Sequence, residues 1–171
     1  MKTILLLRHA KASHAGSAEK DIDRILTKVG RTDACQVGSF LKQVESIPAY
    51  IQCSPAERAR QTIRHIVEVA DIDKQLVNWC DDLYYGGARD YFGVIHSAPE
   101  ETDQIMVVGH NPLLEETVSL LCNGEGAYLA RMPQGGLVCI EHPAIEWNQI
   151  KPGTARFRWM VTPDLLRKFN Y

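Results

Sequence analysis

The chain has 171 residues, 45% of them hydrophobic and 23% charged, with a formal net charge of −2. These values fit one globular domain, residues 1–171, with a full apolar core. They exclude the strongly basic surface that would draw in nucleic acid or an anionic membrane, so affinity for an anion must come from a local group of cations. Five cysteines form no CxxC pair, which argues against a disulfide framework or a zinc site and for reduced thiols in a cytosol. Cys53 reads as a buried strand cysteine rather than a reactive one. The N-terminal apolar run ends at Arg8, too short for a signal core or a membrane span, so the expected location is cytoplasmic.

Elements alternate along the chain. Residues 3–7 read as a strand, and Thr27 as the N-cap of a helix carrying Ala34, Val37, Phe40 and Leu41 at helical spacing. A strand over 50–53 follows, and Pro55 is placed to open a helix with Ala59, Thr62, Ile63, Ile66, Val67 and Ala70 on one side. Residues 75–79 read as a strand, 84–87 as a Tyr/Gly loop and 89–97 as a helix. Residues 104–108 are the clearest buried strand, with Asn111 as cap and Pro112 as opener of the next helix. Beyond the turn at 123–126, strands are expected at 137–141 and 155–161, with a short helix from Pro163. Repeated β-α-β order predicts a single three-layer α/β/α domain with a mostly parallel central sheet.

Three of these strands end alike. The first opens into Arg8-His9, the second into Ser54-Pro55-Ala56-Glu57-Arg58, and the fourth into Gly109-His110-Asn111-Pro112. Open parallel sheets bind ligands beyond their carboxyl ends, so two histidines and two arginines share one rim. Guanidinium forks match phosphate oxygens, and an imidazole can attack phosphorus through one ring nitrogen if a backbone carbonyl pins the other. His9 must be neutral when it attacks, and His110 serves best as a charged donor whose pKa the bound phosphate holds up, so the two should titrate apart.

These segments resemble the histidine phosphatase (phosphoglycerate mutase-like) superfamily, and within it the small SixA-like phosphohistidine phosphatase branch. Arg8-His9-Ala10-Lys11-Ala12 is similar to the family's Arg-His-Gly opening, with alanine in place of glycine. Asp23-Arg24-Ile25-Leu26-Thr27, with Gly30, resembles the branch's Asp-x-Arg-x-Leu-Thr/Asn helix entry. Ser54-Pro55-Ala56-Glu57-Arg58-Ala59-Arg60-Gln61-Thr62 and Val108-Gly109-His110-Asn111-Pro112 match the two further motifs. The resemblance implies that His9 is the phosphorylated nucleophile, that Arg8, Arg58 and His110 form the phosphate pocket, and that no metal or cofactor takes part. Arg60 is expected to point elsewhere from helical spacing, Lys11 to be solvated, and Arg24 to pair near the helix start.

A phosphate monoester needs an acid to protonate its leaving alkoxide. Asn111 follows His110, Asp81 and Asp82 read as a solvated turn, and Glu115 and Glu116 as solvent-facing. A phosphoramidate leaves as an imidazole that accepts a proton near neutral pH, so the missing acid fits a phosphohistidine on a phosphorelay or phosphotransfer protein. The alternatives are a small-molecule phosphomonoesterase of the same superfamily and a phosphate- or phosphohistidine-binding module without turnover. A metal site built on His9, His14 and His110 matches no standard zinc spacing, and neither GxxxxGK[ST] nor GxGxxG occurs. Trp79, Trp147 and Trp159 read as core or edge residues, while Tyr84, Tyr85 and the Met132–Gly135 loop can border the site. The oligomeric state is left open, a monomer being sufficient.

Overall fold

The computed structural model describes residues 1–14, 20–124 and 129–169. Six strands form one sheet: β1 (Lys2–Arg8), β2 (Tyr50–Cys53), β3 (Val77–Trp79), β4 (Gln104–Gly109), β5 (Leu137–His142) and β6 (Arg156–Val161). Their order across the sheet is β3-β2-β4-β1-β5-β6. The first four are mutually parallel, and β5 pairs antiparallel with both β1 and the edge strand β6.

Apolar residues on both sides of each central strand require cover on both faces. In β1, Leu5 and Leu7 enter one core with Met106 and Val108 of β4, whereas Ile4 and Leu6 enter the other with Ile105 and Val107. The first core is covered by α1 (Lys28–Gln43), α2 (Glu57–Ala70) and α6 (Pro163–Lys168), which supply Val37, Ile63 and Leu166. The second is covered by α3 (Asp82–Tyr85), α4 (Ala88–His96) and α5 (Leu113–Asn123), which supply Leu83, Tyr91 and Val118, together with the fully buried Trp147. The result is the three-layer α/β/α fold read from the sequence.

Local chemistry sets several boundaries. The Thr27 hydroxyl accepts from the Gly30 amide at 3.0 Å and caps α1 as expected. A Cβ at Gly30 would lie 2.1 Å from the Lys11 carbonyl oxygen, so the loop after β1 can cross the start of α1 only over a glycine. Helix α2 begins at Glu57 rather than Pro55, because the Ser54 hydroxyl accepts from the Ala56 amide and holds Pro55 and Ala56 in a turn. Strand β3 is shorter than the run 75–79. The Asp73 carboxylate accepts from the Gln75 amide, and a 3-10 turn occupies Lys74–Leu76. The Tyr84 region is the short helix α3 rather than a loop. Asn111 does not cap α5. Its side chain donates to Glu115 Oε1 at 2.6 Å and to the Met132 carbonyl at 3.0 Å. The turn at 123–126 lies partly outside the described residues.

Candidate active site

Parallel pairing brings three strand ends to one level, with Arg8 opposite Gly109 and Cys53 opposite Val108. His9 is held there by its amide, which donates to the Gly109 carbonyl at 3.1 Å, and by its carbonyl, which accepts from the Gly135 amide at 3.0 Å. Its side chain is 6% exposed, and Nδ1 lies 2.8 Å from the Ala10 carbonyl oxygen. A carbonyl can only accept, so Nδ1 carries the proton and Nε2 keeps its lone pair. Ala10 is in turn fixed by α2: its amide donates to Thr62 Oγ1 at 3.0 Å, and that hydroxyl donates to the Arg58 carbonyl. Gln61 accepts from the Leu26 amide at 2.9 Å. The Gln61-Thr62 pair thus fastens two loops to the helix that carries Arg58.

His110 faces His9, with ring centroids 5.1 Å apart. Its Nε2 meets Ser54 Oγ at 2.7 Å, while Nδ1 is buried without a partner. Its amide donates to the Tyr91 hydroxyl at 3.1 Å, and that hydroxyl donates to the Leu83 carbonyl at 2.7 Å. A Cβ at position 109 would strike the Tyr91 hydroxyl at 2.3 Å, which explains the glycine before His110.

The arginines approach from two sides. Arg8 donates to the Met132 carbonyl at 2.7 Å, leaving a buried Nε unpartnered. Arg58 is 6% exposed and donates to the Asp21 backbone carbonyl at 2.6 Å and to Asp21 Oδ2 at 2.9 Å. Arg24 donates to Asp21 Oδ1 at 2.8 Å and to the Ser13 carbonyl, and the Tyr84 hydroxyl donates to Asp21 Oδ2 at 3.0 Å. The Tyr84 ring lies edge-on to His110 at 5.6 Å.

Burial pushes the His9 imidazole down to about 4, with Arg58, Arg8 and Arg24 adding to the effect against the Ala10 bond. Burial, then His9 and the arginines, push His110 down to about 3. Both rings are therefore neutral at neutral pH. They share one desolvated, cationic surrounding, and the separation expected from the sequence is one that a bound phosphate creates by holding His110 charged. Bonds from Arg24, Tyr84 and Arg58 hold the Asp21 carboxyl at about 2, so it is ionised at neutral pH.

The four expected residues thus come together at one end of the sheet, the two imidazoles 5.1 Å apart and Arg8 and Arg58 within electrostatic reach of both. Arg24 makes the predicted ion pair and also lies within electrostatic reach of His9. Tyr84 borders the site, whereas Tyr85 is 72% exposed. Asp81 and Asp82 are exposed at the head of α3, and Lys11 is exposed as expected. Glu115 does not face solvent, because its carboxylate accepts from Asn111 and from the Met132 amide at 2.7 Å. Burial of Cys53 pushes its thiol well up, away from reactivity. Sequence reasoning missed Asp21 and assigned no role to Ser54, Thr62 or Tyr91. Among the described residues, no three His, Cys, Asp or Glu side chains cluster as a metal site, and no helix is long and apolar enough to cross a membrane.

Residues 4–105 match the histidine phosphatase superfamily (branch 1). The chain belongs to that superfamily. Its membership makes it a phosphatase-type hydrolase, and the match takes in His9 and Arg58. An uncharacterized chloroplastic protein of Arabidopsis thaliana is 31% identical over 176 aligned residues, covering 95% of this chain and 78% of that one. Two solved superfamily structures superpose over nearly the full length. One, from Agrobacterium tumefaciens, is provisionally assigned as the phosphohistidine phosphatase SixA. It has a TM-score of 0.79 and 28% identity over 95% of this chain and 98% of that chain. The other, from Nakamurella multipartitia and assigned in the same provisional way, has a TM-score of 0.78 and 27% identity over 95% and 96%.

Proposed function

We propose that this superfamily member is a protein phosphohistidine phosphatase that works through a covalent intermediate on His9 without a metal ion. The observation carrying the proposal is the pairing of a pinned, neutral His9 with Asp21, an acid within electrostatic reach of His110 that two arginines and a tyrosine hold in its ionised form. The His9 Nε2 lone pair attacks phosphorus as the bond to the leaving nitrogen breaks. Arg8, Arg58 and His110 hold the equatorial oxygens, replacing the positive charge that a metal would otherwise supply. The departing imidazole takes a proton from solvent, so the lack of a protonated carboxylic acid is no obstacle. Water then attacks the phosphohistidine, its proton goes to solvent with the released phosphate, and His9 returns neutral.

The likeness to structures assigned as SixA supports a phosphoprotein substrate, of the kind found in phosphorelay or phosphotransfer chains. Hydrolysis of a phosphohistidine peptide and a phosphoserine peptide, side by side with EDTA present, tests the reading. Turnover of phosphohistidine alone, lost in His9→Ala, is the expected result. Preference for the serine ester would instead make this a phosphomonoesterase with a proton donor of its own, and unchanged activity in His9→Ala would end the covalent mechanism.

A further inference from the structure

A second cationic feature lies outside the pocket. Between α2 and β3, at the edge of the sheet, runs a groove of about 150 Å³ floored by Ile63 and Val67 and rimmed by Arg60, Arg64 and Lys74, with Trp79 at one end. Arg60 and Arg64 are one turn apart on the same face of α2, a like-charge spacing that weakens a helix slightly. None of the three cations has an ion-pair partner among the described residues, although the chain as a whole is net negative. The Trp79 side of the groove is also uncovered, the residue being 49% exposed. The Arg60 guanidinium stacks on the Trp79 ring at 4.5 Å, and its Nε has no hydrogen-bond partner. That stacking holds the planar guanidinium in one orientation, with the buried Nε turned inward.

One end of the groove lies at the same rim of the sheet as the active site: Trp79 is in register with Cys53, which immediately precedes Ser54. Arg60 is about half a turn around α2 from Arg58 and so on another face of the helix. A protein whose phosphohistidine entered the pocket would lay neighbouring chain across this edge.

We propose that the Arg60–Arg64–Lys74–Trp79 groove docks an acidic segment of the phosphorylated substrate protein, a proposal that rests on the phosphohistidine reading above. Carboxylates would pair with the three cations while apolar stems cover Trp79 and the Ile63–Val67 floor. Charges at such a rim act on encounter and affinity rather than on chemistry.

Two synthetic phosphohistidine peptides test this, identical except for glutamate or glutamine on both flanks, with p-nitrophenyl phosphate as a substrate too small to reach the groove. The wild-type protein is expected to favour the acidic peptide by about tenfold in kcat/KM, through KM, because two or more screened ion pairs form. The preference should fade in about 0.5 M NaCl. Arg64→Glu combined with Lys74→Glu should abolish it while leaving the glutamine peptide and p-nitrophenyl phosphate unchanged. The milder Arg64→Gln with Lys74→Gln reads the same preference if the reversal disturbs folding. Equal kcat/KM for the two peptides, or a preference that survives the substitutions, overturns the docking groove and leaves the phosphohistidine reading standing. Cleavage of p-nitrophenyl phosphate with neither peptide cleaved removes the phosphohistidine reading, and the docking proposal with it.

Discussion

Ser54 Oγ and His110 Nε2 are 2.7 Å apart, and the same hydroxyl accepts from the Ala56 amide. If the hydroxyl donates its proton to Nε2 while a lone pair takes the Ala56 amide, both of its roles are used. The neutral ring then carries its own proton on Nδ1, the buried nitrogen without a partner. In that tautomer Nδ1–H is left as the ring's donor for an anion. Ser54→Ala leaves His110 free to adopt the other tautomer. Turnover is expected to fall about 10- to 100-fold with little change in KM, the scale of one lost buried hydrogen bond. Nitrogen NMR of His110 should show Nδ1 protonated in the wild type and a tautomer mixture in the variant. An unchanged spectrum would remove this role.

Arg58 is anchored by both the backbone and the carboxylate of Asp21, which also holds Arg24. Arg58→Ala should lower turnover by about 10²- to 10³-fold if its fork stabilises the transferring phosphoryl group. Asp21→Asn separates positioning from charge. Losing the carboxylate leaves the pocket more positive, so tungstate should bind a few-fold tighter. Turnover should nevertheless fall, because Arg58 is less firmly fixed. Weaker tungstate binding would mean that Asp21 serves the anion by ordering the arginines more than it opposes it by charge.

The fold and the four pocket residues were legible because each rests on a local signal. Continuous apolar runs in β1 and β4 mark strands buried on both faces, Arg8-His9 and Gly109-His110 stand at the ends of those strands, and Arg58 lies five residues beyond β2 at the head of α2. Asp21 was not legible, because its place is set by a 3-10 turn at Asp21–Asp23 that meets α2 only in three dimensions. The inward turn of Glu115 depends likewise on the Met132 backbone, 17 positions away. Ser54 stood inside a recognised motif, but its bond to His110 spans 56 positions, which no sequence spacing reveals. The common downward shift of the two histidines depends on burial and on charges from separate segments.

That shift makes stability depend on pH in a defined direction. In the unfolded chain a histidine titrates at the usual value near 6.5, whereas folded His9 titrates at about 4. As pH falls below about 6.5 the unfolded state takes up protons first, so the fold loses stability until about pH 4, where folded His9 also protonates. Above pH 7 both forms are neutral and this contribution is flat. The loss from His9 is on the order of 3 kcal/mol. Melting temperatures measured from pH 8 to 4 should therefore decline through the acid range in the wild type and less steeply in His9→Asn. Parallel declines would show that other groups govern acid stability.

Anion binding should reverse the shift at His110. Burial and the surrounding cations oppose its charge and push it down to about 3, so the ring is neutral at neutral pH. A dianion within reach of Nδ1 offsets both, so the bound ring holds a proton to higher pH and binding takes one up. Affinity for tungstate should accordingly fall as pH rises through the pKa of the bound form. Calorimetric titration at pH 6 in buffers of different ionisation enthalpy measures this directly, and uptake approaching about one proton per tungstate is expected. His110→Gln should abolish the uptake, whereas His9→Asn should retain most of it. Uptake that persists in His110→Gln would assign the proton to another group in the pocket and leave His110 a neutral donor throughout.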